Sequence, residues 1–163
     1  MIRIGQGIDV HAFSDDADRP LVLGGVIIPE GPGLAGHSDS DVVLHALTDA
    51  LLGAAALGDL GTLFGTDDPR YADAPSSVFV SEALRRVGQA GWRLASADCT
   101  IVAQRPKLAP HRVHIADGLH QVLGVHPGTV SVKSTSTDGL GAIGRGEGIA
   151  CLAVVLVERL APL

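Results

Sequence analysis

From Val42 to Leu57 nearly every side chain is apolar, and the exceptions are few and regularly placed. Asp41, His45, Thr48 and Asp49 fall at relative positions i, i+4, i+7 and i+8. At about 3.6 residues per turn this spacing predicts a helix with one narrow polar stripe and apolar flanks on both sides. The whole stretch from Gly36 to Leu57 is rich in Leu and Ala and meets no proline until Pro69. Ser38 or Asp39 is its expected N-cap. Such a stripe faces something polar inside the molecule: either a lined site or a buried polar network that fixes the core.

The remaining pattern is shorter in period. Ile2 to Val10 alternates loosely and reads as a strand on which Asp9 and His11, two apart, share a face. LVLGGVIIP reads as a hairpin turning at Gly24-Gly25, and Gly31 to Gly36 as a glycine-rich loop. After the central helix, GDLGTLFGTDDPRYADAPSS reads as a long functional loop. Ser76 or Ser77 opens a second helix with Val80, Ala83, Leu84 and Val87 on its apolar face and Gly91 as its stop. CTIVA reads as a strand, RPKLAP as a loop stiffened by Pro106 and Pro110, and Ile115, Leu119, Val122 and Leu123 as a third helix closed by Gly124 and Pro127. VSVKS is a strand, STSTDGLGAIGRGEG a second glycine-rich polar loop, and IACLAVVLVERL the last strand. The order β, hairpin, α, α, β, α, β, β predicts an α+β fold, a mixed β-sheet with helices packed on one face. With no repeat and no linker, residues 1–163 are expected to form a single domain.

Composition sharpens this reading in three ways. Hydrophobic residues reach 46% while aromatics are 3%, so the core must be built from Ala, Val, Leu and Ile. A mean hydropathy of +0.31 in so short a chain predicts apolar surface that meets other subunits. A net charge of −6 without any basic run argues against nucleic acid, and an anionic substrate here calls for metal ions to offset its charge. Cys99 and Cys151 sit in apolar runs without a CxxC, as free buried thiols of a reducing compartment do. The opening MIRIGQGID has no basic and apolar leader, and the apolar run from Ile149 to Val157 is too short for a bilayer. A cytoplasmic location without membrane contact is the expectation.

Asp9, His11 and His45 are the sharpest candidates for chemistry. Two imidazoles and a carboxylate suit Zn²⁺, and three protein ligands leave a fourth position for substrate or water. The plainer reading of each stands beside this: D-x-H is a short pattern, and a histidine on a helix is often a satisfied core residue. Asp41 or Asp49, one turn either side of His45, can take its other ring N–H. His37 and Ser38 precede the helix where free amides favour an anion, although Ser38 can serve as a cap alone. Asp59, Asp67 and Asp68 are loop carboxylates. Thr135 to Asp138 offers hydroxyls, amides and a carboxylate fit for phosphates and a hard cation. Lys107 is a point charge between two prolines, and Arg145 with Glu147 forms an expected ion pair, interior or at an interface.

Taken together, GIDVHAF, GHSDSDVVLHALTDALLGAAALGDLG, AQRPKLAPH and GRGEGIA closely resemble the 2-C-methyl-D-erythritol 2,4-cyclodiphosphate synthase family of non-mevalonate isoprenoid biosynthesis. The resemblance covers essentially the whole chain. It implies a homotrimer with active sites between subunits, zinc and magnesium (or manganese) as cofactors, and a phosphorus–oxygen lyase reaction. In that reaction 4-diphosphocytidyl-2-C-methyl-D-erythritol 2-phosphate cyclises as its 2-phosphate attacks the β-phosphorus and CMP leaves. Asp9, His11 and His45 match the zinc ligands, with Val10 between the first two in the substrate-binding segment. His37 and Ser136 match the transition-state-stabilising pair, and Ser38 lies beside the substrate. Asp59, Leu60 and Gly61, then Phe64, Gly65, Thr66, Asp67 and Asp68, match the erythritol-binding stretch. Ala103, Gln104, Arg105, Pro106, Lys107, Leu108 and Ala109 match the cytidine loop lent by a neighbouring subunit. Thr135, Ser136, Thr137 and Asp138 match the diphosphate segment, with Asp138 as the magnesium ligand, and Arg145 is a further contact.

Four positions depart from the family pattern: Ser136 is often Thr, Asp138 is commonly Glu, Thr66 is Asp in some members, and Ala142 replaces what can be an aromatic lining the trimer's central cavity. Two rival activities stay open at this point. A zinc hydrolase would give a linear phosphate with CMP, and a non-catalytic trimeric regulator would bind nucleotide without turnover.

Overall fold

A computed structural model describes residues 1–65, 71 and 74–160. In chain order its elements are β1 (Ile2–Ala12), β2 (Pro20–Leu23), β3 (Val26–Pro32), α1 (Val42–Ala54), α2 (Leu60–Phe64), α3 (Ser77–Gln89), β4 (Trp92–Ala103), α4 (Arg112–Leu123), β5 (Val130–Thr135), α5 (Gly141–Gly144) and β6 (Gly148–Arg159), with a 3₁₀ turn at Ala109–His111 before α4. The fold is the expected α+β arrangement. Among the described residues a four-stranded sheet runs in the order β1-β6-β4-β5, and β2 and β3 form a separate hairpin. β1 and β4 are antiparallel to β6, while β4 and β5 are parallel, so the sheet is mixed.

One face of this sheet carries the core. Ile149, Cys151, Ala153, Val155 and Val157 alternate along β6 and are fully buried on the side where α1 packs with Leu44, Leu47 and Leu51, and Ile115 and Leu119 of α4, which packs against β5, join the same core. Both cysteines are free and buried, as expected. The opposite face of β1 and β6 stays apolar but uncovered. Ile2, Ile4, Ile8 and Val10 are more than half exposed, and Ile8 lies opposite Leu152 in the ladder, with Val154 two residues on.

Glycine sets how closely α1 meets β1. A Cβ on Gly5 would lie 1.9 Å from the Ala50 carbonyl oxygen, and one on Gly7 would lie 2.0 Å from that of Ala46. Two residues of strand advance about 6.6 Å and four residues of helix about 6 Å, so the two ladders stay in step. The next residues on that face of β1 are Asp9 and His11. The next helical side chain at that end is His45.

Several local expectations change. Asp41, not Ser38 or Asp39, caps α1: its Oδ1 accepts from the Val43 and Leu44 amides at 3.0 and 3.1 Å. The same carboxylate accepts from the Gly24 and Gly25 amides at 2.9 and 2.7 Å, tying the hairpin turn to the helix. The polar stripe is therefore divided. Thr48 returns its hydroxyl to the Leu44 carbonyl, and Asp49 accepts from the Leu60 amide, leaving His45 alone to face a site. β3 continues to Pro32 into the expected glycine loop, and two short helices, α2 and α5, form inside segments that read as loops. Glycines and polar residues there hide a single helical turn from any periodicity argument. No helix among the described residues is long and apolar enough to cross a membrane.

Candidate metal centre and active site

Asp9, His11 and His45 converge. His11 Nε2 lies 3.0 Å from Asp9 Oδ2, His45 Nδ1 lies 3.1 Å from the same oxygen, and the two imidazole nitrogens are 3.2 Å apart. These separations are close to the roughly 3.3 Å edge of a tetrahedron drawn with Zn–N and Zn–O bonds of about 2.0–2.1 Å. The Ala35 carbonyl, 2.6 Å from His11 Nδ1, can only accept, so that nitrogen carries a proton and Nε2 faces Asp9. Acceptors cannot crowd at this range unless a proton or a cation lies among them. The acid–base behaviour says the same. Burial opposes charge on Asp9, but hydrogen bonds and charges from His11 and His45 outweigh it and hold the carboxyl well below the usual range. Burial also pulls His11 downward, yet the Asp9 hydrogen bond and charge more than offset it and raise its pKa. The donor set therefore fits a divalent cation and leaves a side open.

That side is a cavity of about 220 Å³ lined by the three donors, His37, Ser38, Leu60, Gly65, Tyr71 and Phe79. Phe79 packs edge-on against His45 at 5.8 Å between centroids, and Phe64, Tyr71 and Phe79 stack on one another at 4.9 to 5.6 Å. Of the chain's five aromatic residues, Tyr71 and Phe79 line the cavity and Phe64 packs against both. The loop bearing His37 and Ser38 is held by Arg19, whose guanidinium donates to the Ser38 carbonyl and, at 3.1 Å, to the Ser40 hydroxyl. Ser76 Oγ lies 2.9 Å from His45 Nε2 and Ser38 Oγ lies 3.3 Å from it, so neither Asp41 nor Asp49 partners that ring. Arg19, Ser76, Phe79 and Tyr71 carried no sequence signal beyond Ser76 as a helix opener, because each reaches the site through tertiary packing.

The other sequence-predicted residues sort into two further places. Ala103, Gln104, Pro106, Lys107, Leu108 and Ala109 line a second cavity of about 320 Å³ with Ser134, Thr135 and Ser136. It shares no residue with the first. Arg105 turns away, its guanidinium 4.7 Å over the Phe13 ring and bonded to the Gly146 carbonyl at 3.1 Å. Ser136 donates to Asp138 Oδ1 at 3.1 Å, and Thr137 to the Leu140 carbonyl at 2.7 Å. Asp59 caps α2 by accepting from the Thr62 amide at 2.7 Å, with Gly61 in the first turn, and hydrogen bonds from the Thr62 side chain and then its amide hold its carboxyl below the usual range. Val10 points to the uncovered face of the sheet. Arg145 pairs with Glu147 at 2.6 Å in an exposed position and lines neither cavity. Thr66, Asp67 and Asp68 lie outside the described residues.

A family model for the YgbB family matches residues 2–158. The chain belongs to the YgbB family. It is 53% identical over 158 residues to the 2-C-methyl-D-erythritol 2,4-cyclodiphosphate synthase of Erwinia tasmaniensis, spanning 97% of this chain and 99% of that one. It is 56% identical over 156 residues to the enzyme of the same name from Moorella thermoacetica, with 96% and 94% covered. Among solved structures it superimposes on IspF from Plasmodium falciparum in complex with CDP at TM-score 0.85 and 33% identity, covering 98% and 97%. It also superimposes on the bifunctional IspDF of Campylobacter jejuni at TM-score 0.92 and 39% identity, covering 98% of this chain but 43% of that longer one.

Proposed function

We propose that this chain is a phosphorus–oxygen lyase that converts 4-diphosphocytidyl-2-C-methyl-D-erythritol 2-phosphate to the 2,4-cyclodiphosphate and CMP. The observation that carries the reading is the three-donor centre, open on one side to a cavity walled by His37 and Ser38, in a chain of a family whose relatives are named for this synthesis. The nucleophile is the substrate's own 2-phosphate, already ionised at neutral pH, so no general base is required. The protein instead folds the substrate for in-line attack and offsets charge on the transferred group. When bound by Asp9, His11 and His45, a zinc ion would supply a Lewis acid for a phosphoryl oxygen. Asp138, among the hydroxyls of Thr135 to Thr137, offers hard oxygen donors for Mg²⁺ or Mn²⁺. His37 donates to charge that develops during transfer, and Ser136 redirects its hydroxyl from Asp138 to do the same.

Residues of the Ala103 to Ala109 loop and of the segment from Ser134 to Ser136 line a second cavity that shares no residue with the metal centre of the same chain; on this reading they bind the cytidine and the diphosphate. A homotrimer supports this reading, with the metal half from one subunit and the cytidine half from its neighbour. The uncovered apolar face around Ile4, Ile8, Leu152 and Val154 supports self-association. Free buried thiols suit a cytoplasmic setting. The test is product analysis by ³¹P NMR after incubation with zinc, magnesium and the diphosphocytidyl substrate. A cyclic diphosphate with stoichiometric CMP is expected. A linear phosphate with CMP would identify a zinc hydrolase, and binding without turnover a regulator.

A further inference from the structure

Resting on the metal reading above and deepening it, we propose that Ser76, backed by Asp39, is the positioning residue that decides which ring nitrogen His45 presents to the metal. Ser76 is fully buried and opens α3, yet its side chain makes no capping bond to that helix. Its hydroxyl is committed elsewhere. The Ser76 hydroxyl sits against Asp39 Oδ1, and the Ser76 amide donates to Asp39 Oδ2 at 3.1 Å. Asp39 is itself fixed, its amide donating to the Ala74 carbonyl at 3.1 Å and its Oδ1 accepting from the Asp41 amide at 3.2 Å.

Donor counting then assigns the protons. A serine hydroxyl has one hydrogen, and a carboxylate can only accept, so that hydrogen goes to Asp39. Only lone pairs remain on Ser76 Oγ for His45 Nε2 at 2.9 Å, and Nε2 must therefore carry the ring proton. His45 Nδ1 is left as a bare lone pair aimed at Asp9 Oδ2 and His11 Nε2. Ser38 Oγ is farther from Nε2, at 3.3 Å; it accepts from the Ser40 amide at 3.1 Å, and with the Ser76 hydrogen committed to Asp39 its own hydrogen has Ser76 Oγ, 3.5 Å away, as an acceptor. The line Asp39 to Ser76 to His45 thus mirrors, for His45, what the Ala35 carbonyl does for His11. Partners of this kind fix the tautomer and orientation of ligating imidazoles.

The test uses the full chain and its Ser76→Ala, Ser76→Thr and Asp39→Ala variants, zinc-free and zinc-titrated. Ring ¹⁵N shifts of His45 in the zinc-free protein report the tautomer, and competition with a chromophoric chelator reports zinc affinity. The native ring is expected to be Nε2–H. Ser76→Ala should weaken zinc binding about 10- to 100-fold and mix the tautomers. Ser76→Thr, which keeps the hydroxyl, should restore both. Asp39→Ala leaves the serine in place but frees its hydrogen to point at Nε2, so it should move the ring toward Nδ1–H, which a purely structural role would not do. It also keeps the proposal testable if Ser76→Ala fails to fold. An Nδ1–H ring in the native zinc-free chain, or native zinc affinity in both Ser76→Ala and Asp39→Ala, overturns the proposal. A native chain that binds no zinc overturns the metal reading instead, while the ring shifts still judge the relay.

Discussion

Gly7 and Ala46 are in direct backbone contact: a Cβ on Gly7 would lie 2.0 Å from the Ala46 carbonyl oxygen and 2.8 Å from the Ala50 amide nitrogen. Strand and helix meet here without side chains between them, and Asp9 and His45 come within reach of each other one step further along. Gly7→Ala must therefore push α1 off β1. A loss of about 1–3 kcal/mol is expected from overpacking. Because the displaced helix carries His45, the zinc-induced rise in Tm should shrink as well. Gly53, on the exposed side of the same helix, has no atom within 4 Å of the place an added methyl group would take, so Gly53→Ala should instead stabilise by roughly 0.5–1 kcal/mol. Thermal unfolding with and without zinc separates the two cases.

Asp41 is fully buried and its carboxylate satisfies four amides, two in α1 and two in the hairpin turn. Replacing it by Ala leaves the buried amides of Gly24, Val43 and Leu44 without this partner, while that of Gly25 lies at the exposed turn. The expected cost is about 2–4 kcal/mol, a lost cap together with unpaired buried donors. Among the described residues Asp49 accepts from one amide, that of Leu60, and Asp49→Ala should cost about 1 kcal/mol. Urea midpoints of the two variants make the comparison.

The contrast between these two aspartates shows what was readable from sequence. Four polar positions on an apolar helix announce that something polar lies alongside, and spacing alone places them on one stripe. It does not say that Asp41 turns back to cap its own helix, because that depends on where the Gly24-Gly25 turn arrives. The D-x-H pair on β1 was legible because a strand has period two. That His45 meets it depends on Gly5 and Gly7 letting the helix descend, a packing fact. Ser76 was out of reach: it enters from a segment 31 residues downstream of His45 and is indistinguishable in sequence from an ordinary helix opener. The α2 and α5 turns were hidden by glycine, which breaks the hydrophobic rhythm on which helix recognition depends.

Metal uptake should release protons. Asp9 raises the proton affinity of His11, so in the zinc-free chain a proton competes for the position a cation takes. Lowering the pH fills that position and weakens zinc binding, and raising it does the reverse. Calorimetric titrations at one pH in two buffers of different ionisation enthalpy should give different apparent heats, and zinc affinity should fall as the pH drops from about 7.5 towards 6, by about tenfold per proton displaced and pH unit. An affinity independent of pH would mean that His11 is not a ligand.

A site shared between subunits has a sharper consequence than a trimer seen by mass. His37 belongs to the cavity of the metal centre and Ser136 to the second cavity, beside Lys107 and Ala109, with no lining residue in common. On the proposed function each donates to developing charge, so His37→Ala and Ser136→Ala should each lower turnover about 10²-fold or more. If every site joins the His37 half of one chain to the Ser136 half of the next, unfolding and refolding equal amounts of the two variants together rebuilds some intact sites. Random assembly pairs two unaltered halves in about one site in four, so roughly a quarter of native activity should return. If both halves belonged to one chain, every site in the mixture would still carry one lesion and nothing would return. Activity of the co-refolded mixture, against each variant refolded alone, is the measurement.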